Sequence, residues 1–350
     1  MIIHFYKKKM MIGFAAFFGA LICLFALYGT VFAQEEKEEK SYIKWVDFTV
    51  TYKALEDAVN LDIETYGSGN HISLSDSLSY LACQNGNDFS SYKKQQLMKL
   101  KEEIGISCTV DKLMEGNKYY SYYKEAFCAV LGGMLGEYEK KAPDGKGGTT
   151  IKKGYGLIAY SPVAEGFSYS HYDDFGNSRT YGYRRSHFGN DLMGNIGTPI
   201  VSVEGGTVEC IGWNMYGGWR LGIRSFDGKR SYYYAHLRKD RPYAEGKKEG
   251  SLVKAGQLIG YMGMTGYSTK ENVNGMSVPH LHFGMQLVFD ESQKEGTNQI
   301  WIDMYNIVKL LSKNKSTVVR NDETKEYKRK YDIIAYNYPD ELKKYYDERF

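Results

Sequence analysis

Between residues 197 and 261 the chain is a succession of short β-prone runs separated by glycines, at 197–203, 206–212, 221–224, 231–236 and 257–261. Short, regularly spaced strands with turn residues between them favour a compact β-sandwich or barrel. The overall composition, 43% hydrophobic and 25% charged, is that of a globular chain. Disordered, collagen-like and coiled-coil folds are therefore excluded.

The preceding hundred residues have a helical pattern instead. Leu74, Leu78 and Leu81 repeat at helical spacing after a predicted cap at Ser73, and a further helix is predicted over residues 119–138. Residues 142–150 are rich in turn formers and are predicted to be a linker. In chain order, the predicted organisation is an N-terminal segment 1–33, a helical accessory region 34–141, the linker 142–150, a β-rich domain 151–305 and a helical C-terminal tail 306–350.

The N-terminal segment predicts the compartment. Lys7, Lys8 and Lys9 precede a run without charge at residues 10–33, which is long enough to span a bilayer as a helix. The lysines before the run favour an orientation with the rest of the chain outside the cytoplasm. Because Val31-Phe32-Ala33 also suits cleavage, the segment is predicted to be either a transmembrane anchor or a signal peptide. Both alternatives export the body of the protein.

The net charge and the cysteine spacing argue against two kinds of binding site. The net charge is only +3, from 45 basic and 42 acidic residues, so no nucleic-acid partner is expected. Four of the five cysteines lie outside the apolar run, and their wide spacing fixes no disulfide pairing. Since no Cys-x-x-Cys pair occurs, a cysteine-based zinc site is not expected.

Four histidines and one aspartate in the β-rich region carry the candidate chemistry. His187 and Asp191 are four residues apart, His236 ends a β-prone run, and His280 and His282 would share one face of a strand. A catalytic zinc site needs three nitrogen or oxygen ligands, an open position and acid–base groups nearby. The residues alone therefore predict an exported zinc hydrolase.

The order of motifs between residues 187 and 287 resembles the lysostaphin/LytM-type zinc endopeptidases of bacterial peptidoglycan. The matching segments are His187-x-x-x-Asp191, Gly197-Thr198-Pro199-Ile200, Gly206-Thr207-Val208, Tyr234-Ala235-His236-Leu237, the glycine-rich run 260–269 and His280-Leu281-His282-Phe283. The resemblance covers under a third of the chain. It implies an α+β protein: an N-terminal membrane helix and helical accessory region, followed by a compact antiparallel β-sheet (LytM-like) catalytic domain.

Carried over residue by residue, the resemblance makes His187, Asp191 and His282 the ligands of Zn²⁺. It makes His236 and His280 the catalytic histidines, without indicating which of them accepts the proton. Two departures stand out. Gly284 follows Phe283 where an acid is common in the family, and the link from residue 267 to residue 279 is longer than usual, which would reshape access to the site.

The resemblance implies an exported zinc metalloendopeptidase that hydrolyses peptide stems or cross-bridges of peptidoglycan during cell-wall remodelling. Its expected place is the outer face of the cell membrane, held by the N-terminal helix, or the cell wall if that segment is cleaved. The alternative is a catalytically inactive wall-binding or scaffold protein of the same fold. Inactive family members typically lack a ligand, and all five expected positions are present here.

Overall fold

Eight of the strands between residues 170 and 302 join into one sheet, and many of their residues are buried. The computed structural model describes residues 42–347. The strands are β1 Leu135–Pro143, β2 Thr149–Leu157, β3 Ser170–His171, β4 Ser178–Arg179, β5 Arg185–Ser186, β6 Asn190–Met193, β7 Pro199–Val201, β8 Gly206–Asn214, β9 Gly218–Ser225, β10 Arg230–Ala235, β11 Leu252–Val253, β12 Leu258–Tyr261, β13 His280–Leu287, β14 Ile300–Ile302, β15 Val318–Arg320, β16 Tyr327–Arg329 and β17 Ile333–Ala335.

The large sheet has the order β11-β8-β9-β10-β13-β6-β3, with β14 pairing the second half of β13. Every pairing described between the named strands is antiparallel. One face of the sheet is apolar and buried: it includes Leu221, Ile223, Tyr232, Leu281 and Phe283. The opposite face carries the glycines and polar residues that form the floor of the site described below. The expected antiparallel β-sheet domain is confirmed.

The helical pattern before the sheet is also confirmed, with one error at a helix end. The helices are α1 Tyr52–Thr65, α2 Leu74–Asn85, α3 Gln95–Ser107, α4 Val110–Leu113, α5 Tyr120–Leu131, α6 Tyr305–Leu311 and α7 Asp340–Asp347. The Ser73 hydroxyl accepts a hydrogen bond from the Asp76 N–H and caps α2, as predicted. The helix predicted to reach residue 138 ends at Leu131, because the glycine pair at 132–133 is a poor helix former, and β1 follows. A Cβ at Gly133 would overlap the Glu204 carboxylate, so this position requires glycine.

The turn-rich segment 142–150 lies within a β-hairpin. Ala142 and Pro143 end β1, Thr149 begins β2, and the Asp144 carboxylate accepts hydrogen bonds from the N–H groups of Lys146 and Gly148 in the turn between them. The C-terminal segment, predicted to be helical, holds α6 and α7 but also the short strands β15, β16 and β17. β17 pairs with β1, so this segment completes a three-stranded sheet.

The helices and the large sheet share one hydrophobic core, and residues from Ile43 onward form one unit. A buried polar network crosses the boundary between them. The fully buried guanidinium of Arg230 on β10 donates to both carboxylate oxygens of Glu204, at 2.8 and 3.0 Å, and to the Ala129 carbonyl of α5 at 2.7 Å. The Tyr232 hydroxyl donates to Glu204 as well. The helical region is therefore packed into the sheet as part of the same core.

Within residues 42–347, no helix combines the length and the apolar character needed to cross a membrane. The run at residues 10–33, predicted to be an anchor or a signal peptide, lies outside the described residues. Its assignment remains a prediction from the sequence.

Candidate metal centre and active site

Strand pairing brings the predicted site residues together on one face of the sheet. His282 on β13 lies opposite Asp191 on β6 and opposite Ala235 on β10. Directly paired residues point to the same face, and so do residues two apart on one strand, which adds His280. His236 follows the end of β10 with a φ of +59°, in the left-handed region that few non-glycine residues adopt. This conformation turns the chain at the rim of the site.

Three ligand atoms converge at this point. Nε2 of His187 lies 2.8 Å from Nδ1 of His282 and 3.1 Å from Oδ1 of Asp191, and the last two atoms are 3.4 Å apart. Oδ1 of Asp191 is buried, yet it accepts no hydrogen bond of good geometry from the described residues. A buried carboxylate oxygen normally has a partner. Two imidazole nitrogens and this oxygen form a donor set that fits a zinc ion.

The charges of the triad favour a cation. Burial alone would raise the pKa of Asp191, but the His187 and His282 rings outweigh it and hold the pKa well below its usual range. Burial would lower the pKa of His187, but Asp174 and Asp191 raise it to about 9. Burial lowers the pKa of His282. An ionised carboxylate is therefore present in the set, and a metal that binds Nε2 of His187 must displace a proton.

Two further residues hold this set in place, and neither was identified from the sequence. Nδ1 of His187 is 3.1 Å from the Asp174 carbonyl oxygen, so its N–H can donate there and leave Nε2 for a metal. Arg179 donates to Oδ2 of Asp191 at 2.9 Å and to Oδ2 of Asp174 at 2.8 Å. Oδ1 of Asp191 thus stays available. Asp174 and Arg179 lie outside the motif that carried the family resemblance, so no sequence pattern marked them.

His236 and His280 lie beside the triad with their rings 4.7 Å apart. Nδ1 of His236 is 2.8 Å from the Thr265 carbonyl oxygen, and Nδ1 of His280 is 2.8 Å from that of Val278. Each ring can therefore donate from Nδ1, which leaves its Nε2 as the nitrogen available to the site. Burial, with the neighbouring histidines, holds the pKa of His236 well below its usual range. This ring is neutral at pH 7 and can accept a proton.

The sequence comparison decides the family. Residues 185–298 match the sequence profile described as "Peptidase family M23", and this range contains all five residues of the site. This domain belongs to peptidase family M23. The M23 domain accounts for about a third of the chain, and the resemblance to lysostaphin/LytM-type peptidases is confirmed.

Relatives of the M23 domain include two named peptidases. The chain is 39% identical over 137 residues to the L-Ala–D-Glu endopeptidase of Bacillus subtilis (strain 168), which covers 38% of this chain and 40% of that protein. It is 42% identical over 98 residues to lysostaphin of Staphylococcus simulans, covering 28% of this chain and 17% of that protein. The chain thus matches less than half the length of either relative.

A solved structure extends the likeness in fold beyond the M23 domain. The crystal structure of the lytM protein of Ruminococcus gnavus superposes with a TM-score of 0.51 at 22% identity. It covers 79% of this chain and 92% of its own. Since residues 185–298 make up about a third of the chain, the shared fold includes elements outside them.

The site of the M23 domain opens into a groove of about 400 Å³. Tyr267 and Met276, from the long link before His280, line it. Tyr267 stacks on Tyr181 of the β4–β5 hairpin at 4.4 Å, and the guanidinium of Arg185 lies 4.9 Å from the Tyr216 ring. The long link therefore builds one wall of the groove together with the hairpin.

Gly284 of the M23 domain stands where an acid is common in the family, and the structure gives a physical reason. A Cβ at this position would lie 2.8 Å from the Phe188 carbonyl oxygen and 3.0 Å from the Trp301 ring. The Phe188 and Trp301 rings stack at 6.1 Å over this part of the floor. An acidic side chain has no room here, and Asp174 and Arg179 provide the polar contacts to the ligands.

Replacing Arg179 with alanine should weaken metal binding by about 10- to 100-fold, because Asp191 then loses the contact that orients its carboxylate. Competition with a chromophoric chelator would measure the affinity. Arg184→Ala is the matched control, since Arg184 is an exposed arginine of the same hairpin and should leave the affinity unchanged. Equal affinities for Arg179→Ala and wild type would show that Arg179 does not position the ligand.

Proposed function

We propose that the protein is an exported zinc metalloendopeptidase that hydrolyses peptide bonds of bacterial peptidoglycan. The observation that carries the proposal is the convergence of His187, Asp191 and His282 on one point, beside two further histidines in an open groove. The names of the relatives support the substrate, since the Bacillus subtilis protein is named an L-Ala–D-Glu endopeptidase and a Vibrio cholerae relative a peptidoglycan DD-endopeptidase. The inactive scaffold is not favoured, because the whole ligand set is present.

Zinc is the proposed metal because the donor set is two imidazoles and one carboxylate. His187, Asp191 and His282 would hold it through Nε2, Oδ1 and Nδ1. When bound, zinc supplies Lewis-acid activation of a water molecule and of a peptide carbonyl. With three protein ligands, the set would leave a bound zinc ion an open position for this chemistry.

His236 and His280 would handle the protons. One neutral Nε2 takes the proton of the attacking water. The other ring, protonated at both nitrogens, donates from Nε2 to the carbonyl oxygen as negative charge develops there. The proton taken from the water then passes to the leaving amine, so that the products are a new carboxylate and a new amino terminus. The Thr265 and Val278 carbonyls accept from Nδ1 of the two rings and leave each Nε2 for this exchange.

The proposed location is outside the cytoplasmic membrane. Support comes from the charge-free run at residues 10–33 behind three lysines, which would either anchor the chain or direct its secretion. Peptidoglycan lies on the same side of that membrane. No nucleic-acid partner is proposed, since the net charge is close to balance.

Mass spectrometry of the fragments released from purified peptidoglycan tests the proposal. We expect peptides with new amino termini, and the mass of each fragment identifies the bond that is cut. Release of intact disaccharide–peptide units with new reducing ends would instead indicate a glycan-cleaving activity. No release from several wall types, by protein shown to be folded and loaded with zinc, would contradict the proposed function.

Replacing His236 with alanine should lower the turnover number by about 10²- to 10⁴-fold, because a proton-transfer group is lost. Zinc content should stay at the wild-type level, since His236 is not one of the three converging ligands. Steady-state kinetics and elemental analysis of the same preparation would separate the two effects. Loss of zinc together with activity would mean that His236 acts as a ligand.

A further inference from the structure

The floor of the groove extends from the metal ligands across two further strands. Tyr233 pairs with Gly284 on β13 and with Gly222 on β9, so all three share the face of His282. Arg220 lies two residues before Gly222 on β9 and therefore belongs to the same face. Because neighbouring strands are about 4.8 Å apart, the backbone of β9 lies about 10 Å from that of β13.

The Tyr233 ring, 5.8 Å from that of His282, forms part of this floor, and the residues beside it are small. Ala235 lies between the strands of His282 and Arg220, and Gly222 has no side chain at all. A Cβ at Gly222 would lie 2.6 Å from the Cys210 sulfur, so the position requires glycine. The groove that these residues line runs from the metal ligands over Tyr233 to Cys210 and Arg220, and an extended peptide can follow it. A distance of 10 Å corresponds to about three extended residues.

The Arg220 guanidinium has no negatively charged partner among residues 42–347. Its Nη1 donates to the sulfur of Cys210 at 2.9 Å, and its Nε is buried without a hydrogen-bond partner in the described part of the chain. Burial raises the pKa of the Cys210 thiol, so this contact is with a neutral group. A partly buried cation without an anion is unfavourable unless a bound group supplies one.

The acid nearest in sequence to this contact is already paired. Glu209 bonds to Lys294 at 2.6 Å and to the Ser231 hydroxyl, and it lies 3.8 Å from Arg224. Arg224 in turn bonds to Glu291. Among the described residues, Arg185 in the groove wall also lacks an acidic partner, but its guanidinium donates to the Tyr181 carbonyl and the Tyr267 hydroxyl. On the floor itself, the cation of Arg220 is left without a charged partner.

We propose that Arg220 binds a free carboxylate of the peptide that is cut, within about three residues of the scissile bond. A guanidinium matches a carboxylate with two parallel hydrogen bonds and is suited to this task. The preferred substrate is then an acidic stem peptide, such as one whose γ-linked glutamate keeps its α-carboxylate, and not a cross-bridge made of glycine alone. This proposal rests on the proposed function and specifies its substrate.

The test compares two stem peptides that differ in one group: γ-linked glutamate with a free α-carboxylate, or the same residue as the α-amide. Wild-type protein should cut the carboxylate peptide with a kcat/KM about 10- to 100-fold higher, the range expected for hydrogen bonds to a charged group. Arg220→Gln should lower kcat/KM by the same factor for the carboxylate peptide and change it little for the amide. Arg184→Gln is the control, with no expected effect on either peptide.

The outcomes separate this proposal from the function on which it rests. Equal cleavage of both peptides by wild type, or an equal loss on both in a folded Arg220→Gln variant, overturns the carboxylate site and leaves the endopeptidase intact. If wild type cuts neither peptide, the carboxylate site is tested by binding instead. Calorimetry then measures the affinity of wild type and of Arg220→Lys for each of the two peptides. A preference for the carboxylate that weakens in the lysine variant, which loses the planar fork, supports the site. Equal binding of both peptides overturns it.

Discussion

Replacing His282 with alanine should lower the hydrolysis of wall peptides by at least about 10³-fold. His282 supplies one of the three converging ligand atoms, and its loss leaves His187 and Asp191 as a two-ligand set that cannot hold zinc firmly. The variant should also retain less than one zinc per chain. Release of amino groups from peptidoglycan and elemental analysis would measure the two effects.

His71→Ala is a suitable control for this variant. It also removes an imidazole, but from the helical region, where His71 pairs with Asp62 at 2.8 Å. Wild-type activity and zinc content are expected. If the His282 variant kept full activity after exhaustive chelation, the metal would have no part in the reaction.

Replacing Arg230 with alanine should lower the free energy of unfolding by about 3–5 kcal/mol, because it leaves the Glu204 carboxylate buried without its partner. Arg230 is fully buried and also loses its bond to the Ala129 carbonyl of α5. Equilibrium unfolding in urea, followed by circular dichroism, would measure the change.

The double variant Arg230→Met with Glu204→Leu serves as the comparison. It removes both charges and keeps much of the volume, so we expect it to recover a large part of the stability lost in Arg230→Ala. A double variant as unstable as the single one would mean that packing between α5 and the sheet, and not the unpaired charge, causes the loss. In either variant the three ligands of the metal centre remain in the chain.

Much of the site could be predicted from local patterns. Alternation along β13 places His280 and His282 on one face, and the four-residue spacing of His187 and Asp191 lets both reach one point. The Ser73 cap and the leucine spacing of α2 depend only on neighbouring residues, and both predictions were correct. Such features follow from short-range rules that hold whatever the rest of the fold does.

The contacts that the sequence did not reveal lie outside the recognised motifs. Asp174 and Arg179 reach the ligands from residues before His187, and the close approach of Gly133 to Glu204 depends on how α5 packs on the sheet. The hairpin at residues 142–150 resembled a linker because a tight turn and a linker use the same glycines and aspartate. The strand pairing on either side distinguishes the two.

The most direct measurement is the rate of peptide-bond cleavage in peptidoglycan by the full-length protein before chelation, after removal of metal, and after return of one equivalent of zinc. The proposed function predicts a measurable rate, its loss on chelation, and its recovery with zinc, with new amino termini formed in step with the rate. A rate that is unchanged when elemental analysis finds no metal on the protein would contradict the account.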